Sequence, residues 1–299
     1  MATVTTNMSE NPSWSDLTFR DNNTKIGTDA IANRTSTAKQ NHPIVGDRVI
    51  EGVGTSPDTW QNWQGLHALP RLNIAQKFLS HQRVCVFAPH PDDEILGCGG
   101  MLQQLAANGS FILLVHVTNG TRSHPDSQIY PPQTLDIIRP QESLAALNAL
   151  GVASQVTSIF LDLPDGDVFA RQEQFKKKLD IIIQPEDILV APFIHDGHPD
   201  HEATGQVVAA FAKQHNLDCY QALIWAWHWA KPDDRRIPWH IAVRLDLTAE
   251  QLARKAQAIN CFASQITADE STGNPPILSA QTIARISQRW EVYLYEPYL

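Results

Sequence analysis

The chain has little that would hold it in a membrane, on a nucleic acid or in an oxidising compartment. In its 299 residues no apolar run approaches the roughly 18 residues needed to span a bilayer. Basic side chains are in the minority, 23 Lys and Arg against 32 Asp and Glu, and the formal charge of -9 argues against nucleic acid as a partner. Cysteine is scarce: the four, at 85, 98, 219 and 261, lie far apart inside apolar patterns. That usage predicts buried thiols in a reducing compartment and hence a cytoplasmic protein. Residues 1–20 have neither a basic start nor an apolar stretch, so no secretory leader is expected. No internal repeat is present, and nothing in the sequence specifies an oligomeric state. What remains, 42% hydrophobic residues, is enough for one large domain with a packed core.

Residues 1–45 are rich in Thr, Asn and Ser without apolar periodicity, which predicts a mobile tail. Residues 46–79 read as an N-terminal extension in which Trp60, Trp63, Leu66, Leu69 and Leu72 are spaced to pack a short helix onto the main domain. From 80 to 299, strand patterns at 83–88, 111–118, 156–161, 187–191 and 219–225 alternate with helical patterns near 98–108, 134–150, 171–183, 202–214 and 248–263. Such alternation predicts a Rossmann-like α/β fold, a mostly parallel sheet with helices on both faces, forming a single domain behind a flexible N-terminal extension. Gly97, Gly99 and Gly100 match neither the dinucleotide nor the P-loop spacing, which leaves close helix packing as their reason.

Two clusters carry chemistry. Pro89-His90-Pro91-Asp92-Asp93-Glu94 follows the strand pattern 83–88, and His195-Asp196-Gly197-His198-Pro199-Asp200-His201 follows the strand pattern 187–191. Imidazoles and carboxylates just past strand ends, where open α/β sheets place ligands, are the usual material of a catalytic metal site, which keeps three protein ligands and leaves a position for water. Asp92 and Asp93 are neighbours whose side chains diverge, so one can bind metal while the other faces substrate. Pro89 and Pro91 stiffen the backbone around His90. Gly197 and Pro199 preclude one helix through all three histidines. Asp200 reads as the N-cap of a helix beginning at Glu202, which places His201 in a first turn whose macrodipole keeps its ring neutral and fit to bind a metal. Blander readings exist for each piece: Asp-Asp-Glu could only cap a helix, Arg139 and Glu142 could be only an i, i+3 ion pair, and His195 reads as packing or as support behind a ligand.

Together with Arg139-Pro140-Gln141-Glu142, these motifs resemble the LmbE-like or PIG-L-like metal-dependent de-N-acetylases, over about residues 80–265. The resemblance implies a zinc-dependent hydrolase that removes an acetyl or other acyl group from a small-molecule N-acylated sugar or glycoconjugate, with Fe2+ or Mn2+ as other possible metals. It implies His90, Asp93 and His201 as metal ligands, Asp92 as the base that activates water, and His198 as the oxyanion or proton-transfer group. Asp200 would orient an imidazole from behind, and Arg139 and Asp165 would contact substrate. Relatives carry Thr-Asp-Gly-Glu where this chain has Thr118-Asn119-Gly120-Thr121-Arg122, a change that makes the pocket rim less negative and brings Arg122 toward substrate. Trp225, Trp227 and Trp229 alternate, so in a strand they would share a face, as core or as a stacking wall for a sugar ring. His228 would project to the other side toward the pocket, and Gln265 would line its entrance. The rival readings are a metal-dependent phosphoesterase and a non-catalytic sugar-binding protein with a structural metal.

Overall fold

Runs of apolar residues with no polar face make the centre of the sheet. The computed structural model describes residues 47–295, and the stretch 1–45, expected to be a mobile tail, lies outside the described residues. The strands are β1 (Arg83–Ala88), β2 (Phe111–His116), β3 (Val156–Phe160), β4 (Ile188–Pro192), β5 (Cys219–Ala222), β6 (Ala242–Asp246) and β7 (Trp290–Tyr295), in the order β3-β2-β1-β4-β5-β7-β6. The first five are parallel, and β7 runs antiparallel to both β5 and β6. Strand side chains alternate, so Val84, Val86 and Ala88 join one core with Ile112 and Leu114, while Cys85 and Phe87 join the opposite core with Leu113 and Val115. A central parallel strand buried on both faces has no use for the alternating polar residues of an open sheet.

Short helices α1 (Pro57–Gln61), α2 (Gln64–Ala68) and α3 (Ile74–Lys77) precede β1. Ser56 opens α1 by accepting the Thr59 N–H, with Pro57 following it, and the buried Trp60 ring then meets Trp227 edge-on at 4.9 Å. After β1 come α4 (Asp93–Asn108), α5 (Pro132–Leu150), α6 (Gln172–Ile182), α7 (Pro199–His215), α8 (Ala226–Trp229), α9 (Ala249–Ile259), α10 (Ala263–Ile266) and α11 (Ala280–Ile286). Helices α4, α5 and α9 contribute to the first core, and α6 and α7 to the second. The glycines of α4 admit close neighbours: a Cβ at Gly97 would crowd Ile224, and one at Gly100 would meet Leu247. Among the described residues no helix is long and apolar enough to cross a membrane.

The α/β class and the parallel arrangement are as the sequence predicts, and four details differ. Strand β5 stops at Ala222, and Trp225, Trp227 and Trp229 do not alternate along it. The chain turns there because the buried Asp196 carboxylate accepts the backbone N–H groups of Ile224, Trp225 and Ala226, which starts α8 instead. Trp227 and Trp229 are buried, Trp229 at the edge of a separate hollow, and the half-buried Trp225 faces the cleft at the strand ends. Strands β6 and β7 are absent from the sequence reading, although Trp290, Val292 and Leu294 do alternate with Glu291, Tyr293 and Tyr295. Helix α7 begins at Pro199, ahead of the expected start, with His198 as its N-cap, so Asp200 is already inside the first turn. Three cysteines are buried as expected, whereas Cys261 is only half-buried at the end of α9.

Candidate active site

The C-terminal ends of the parallel strands converge on one cleft of about 620 Å³. The segment after β1 supplies His90, Asp92 and Asp93; that after β4 supplies His198 and, from α7, His201; that after β3 supplies Asp165; and α5 supplies Arg139. Arg122 stands at the mouth, exposed, and Gln265 also lines the cleft. His195 is exposed and outside it, and His228 belongs to a separate hollow.

The arrangement is centred on Asp93. Its Oδ2 accepts the His90 backbone N–H at 2.9 Å and lies 3.2 Å from His90 Nδ1 and 3.1 Å from His201 Nε2. Each histidine has its other nitrogen against a carboxylate. His201 Nδ1 is 2.9 Å from Asp196 Oδ2, and His90 Nε2 is 3.3 Å from Asp165 Oδ1 and 3.4 Å from Asp200 Oδ2. An imidazole that donates its outer N–H to a carboxylate presents an inner lone pair, so both rings aim a lone pair at the Asp93 carboxylate. Lone pairs facing each other at that distance need a cation between them. His201 Nε2 is, accordingly, buried without a hydrogen bond despite its short approach to Asp93. Without a metal, protons fill the role: burial opposes charge on both rings, yet the carboxylates around them raise His90 well above its ordinary value and push His201 up to about 9. The helix macrodipole, expected to keep His201 neutral, is thus outweighed by Asp93 and Asp196. The donor set fits a divalent cation, which would replace those protons, and carboxylates behind metal-binding histidines are the rule in such centres. Ring nitrogens of His90, His198 and His201 can also come within 4.8 Å of one another, as can donors of His90, Asp165 and Asp200.

Asp92 sits beside this group and is held differently. Its backbone is forced to φ 147°, a conformation side chains avoid, and its N–H is accepted by Glu94 Oε2 at 2.9 Å. Glu94, itself buried, takes the Ser143 hydroxyl on its other oxygen. Burial pushes Asp92 up to about 7 against the pull of the Arg139 guanidinium. Arg139 is buried too: its Nη2 donates to Asp92 Oδ2 at 3.1 Å and to the Pro91 carbonyl at 2.8 Å, and its Nη1 donates to the Gly120 carbonyl at 2.9 Å. Gly120, at φ 63°, has no side chain because a Cβ would overlap that guanidinium. His198 Nδ1 accepts the Asp200 N–H at 3.2 Å, which leaves the ring proton on Nε2, and burial with two neighbouring imidazoles holds its pKa well below the usual value.

Asp200 does not cap α7. It ties the loop after β3 by accepting the Gly166 N–H at 2.7 Å and the Val168 N–H at 3.3 Å, while its Oδ2 faces His90. Asp165 likewise lies against His90 and accepts the Arg122 N–H at 2.6 Å. The residue that sequence reasoning missed is Asp196, fully buried, whose carboxylate orients His201 while gathering the turn after β5. Its position between two predicted histidines was the available signal. Replacing Asp196 with Ala is expected to weaken divalent-metal affinity by roughly 10- to 100-fold. Titration of the stripped protein with Zn2+ checks this, and unaltered affinity would rule out the role.

The model of the GlcNAc-PI de-N-acetylase (PIG-L) family matches residues 85–212, which include every one of these carboxylates and histidines. Residues 85–212 thus match a PIG-L-family domain. A diacetylchitobiose deacetylase from Thermococcus kodakarensis is 26% identical over 136 residues, 44% of this chain and 49% of that protein, so the match spans about half the length of this curated relative. A deacetylase of the teicoplanin biosynthesis pathway superposes with a TM-score of 0.51 at 22% identity, over 72% of this chain and 97% of the other. An antimicrobial pseudoaglycone deacetylase does so with a TM-score of 0.51 at 20% identity, over the same shares. These structures share the fold over 72% of this chain. The segment 47–55, Trp225, Gln265 and Ile277 lie outside the residues that the family model matches.

Proposed function

We propose that this protein is a metal-dependent N-deacetylase acting on an N-acetylated sugar or glycoconjugate, with a deacetylase domain running from about residue 80 to 299. The observation that carries the reading is a buried carboxylate, Asp92, held in a strained conformation next to a separate cluster of two imidazoles and one carboxylate. Deacetylase activity in the Thermococcus relative supports the same assignment. His90, Asp93 and His201 would hold the cation, Zn2+ first and Fe2+ or Mn2+ as substitutes. When bound, it supplies Lewis acidity toward the amide carbonyl and lowers the pKa of water.

Asp92 accepts the proton of the attacking water and later delivers it to the departing amine, a task for which a carboxyl raised by burial is suited. Arg139 keeps Asp92 Oδ2 in place through Nη2, and because it also lines the cleft it can meet substrate beside Asp92. His198, neutral and protonated on Nε2, donates a hydrogen bond to the developing oxyanion. Asp196, Asp165 and Asp200 fix the rings of His201 and His90. Arg122, with Asp165 beside it, is the cation available to substrate hydroxyls or acidic groups at the mouth. The three buried thiols support a reducing, cytoplasmic setting.

The test is a panel of N-acetylglucosamine, diacetylchitobiose and aryl phosphates with and without chelator. Free amine is expected from the acetylated sugars only, lost on chelation and restored by Zn2+. Phosphate release would favour a phosphoesterase, and saturable sugar binding without turnover would favour a binding protein.

A further inference from the structure

The cleft has two sides of different chemistry, and strand order separates them. His90 and His201 follow the central pair β1 and β4. On the β2–β3 side stand Arg122, Ser123, Asp165 and Gly166, all polar or bare backbone. On the β5 side stand Trp225, which follows β5, Ile277 and Leu278 ahead of α11, and Ile50 with Glu51 from the segment before α1. Ile277 keeps 39% of its surface exposed, and Trp225 and Ile50 are half-buried. Ile277 left open inside the cleft, and the part of the Trp225 indole not packed on the first core, are apolar surface awaiting a ligand.

The segment carrying Ile50 has no regular secondary structure but is tied at several points. Arg48 grips Glu202 of α7, the residue next to His201, with two hydrogen bonds of 2.9 and 3.1 Å. His228 Nε2 lies 3.1 Å from the Glu51 carbonyl, Arg285 Nη1 donates to the Val53 carbonyl at 2.9 Å, and the Thr55 N–H donates to the His228 carbonyl at 2.8 Å. The wall is therefore built, and it is built by residues outside the PIG-L-family domain.

We infer that the β5 side of the cleft is a subsite for an uncharged apolar chain attached to the amino sugar, formed by Ile50, Trp225, Ile277 and Leu278. The inference rests on the deacetylase reading for the word sugar, and on the cleft alone for the chain. Such a chain can hang from the glycosidic oxygen or extend the acyl group, and both present the same methylenes.

Two arms separate these sources. In the first, calorimetry compares hexyl and methyl β-glucoside, neither of which carries an amide to hydrolyse. In the second, kcat/KM is compared for N-hexanoyl- and N-acetylglucosamine. A fully buried methylene is worth about fourfold in affinity, so partial burial of the chain predicts at least about a tenfold gain in one arm. Ile50→Asp and Ile277→Asp, both at partly exposed positions, are expected to reduce that ratio toward one. A gain in either arm that these variants remove supports the subsite and names the point of attachment. Ratios near one in both arms, or a gain that both variants keep, overturn it. If no N-acyl sugar is hydrolysed while the calorimetric gain stands and falls with Ile277, the deacetylase reading fails and the subsite survives.

Discussion

Asp92→Asn is expected to lower kcat for deacetylation by roughly 100- to 10,000-fold while the protein still binds its metal. The substitution keeps the shape of the side chain and leaves an oxygen for the Arg139 Nη2 that now lies 3.1 Å from Asp92 Oδ2. It removes a carboxylate that lines the cleft and touches neither His90 nor His201, and with it the group able to take a proton from water. Binding should change little, because Asp93, His90 and His201 keep their carboxylate partners. Metal analysis of the purified variant together with steady-state kinetics provides the check. Turnover within a few-fold of the unsubstituted protein would remove Asp92 from the mechanism, and loss of metal would make it a ligand instead.

Lys255→Met is expected to cost about 3–5 kcal/mol of stability, the range for breaking one partner of a buried ion pair. Lys255, on α9, is wholly buried; its Nζ donates to Glu291 Oε1 at 2.7 Å and to the Leu96 carbonyl at 2.9 Å. Glu291, on β7, also accepts the N–H groups of Gly100 at 2.6 Å and Met101 at 2.9 Å and the Tyr293 hydroxyl at 2.7 Å, while that hydroxyl donates to the Gly97 carbonyl at 3.1 Å. Leu96 with Gly100, and Gly97 with Met101, are the pairs that a regular helix joins i to i+4. Here all four backbone groups meet side chains, and the glycines of α4 leave room for them. Removing the ammonium leaves a carboxylate charge in the core with no cation beside it. Urea denaturation measures the loss, and Lys255→Met/Glu291→Gln should recover part of it because the stranded charge is gone. A single-variant loss under about 1 kcal/mol would show that the pair is dispensable. The helix so anchored begins at Asp93, which ties the stability of this network to the geometry of the site.

Local chemistry was legible from residue order. The runs at 83–88, 111–118 and 187–191 read as strands of a buried parallel sheet, because they are short, mostly apolar and alternate with helical patterns. The residues His90, Asp92, Asp93, His198 and His201 stood out because each motif packs its imidazoles and carboxylates within a few positions of a strand end. Tertiary structure alone decided which carboxylate stands behind which ring. Asp196 rather than Asp200 meets His201, Asp165 and Asp200 meet His90, and the two Nη groups of Arg139 meet Asp92 and two carbonyls. It also decided that the chain turns at Ile224, so that Trp225 faces the cleft while Trp227 and Trp229 enter the core, and that β7 and β6 close the sheet's edge with Glu291 aimed at α4. A motif fixes what lies within a turn or two of the backbone. Asp196 is only five positions from His201, but its carboxylate is held there by backbone N–H groups 28 to 30 positions further on, and His90 meets Asp200 from 110 positions away, pairings that no local pattern encodes.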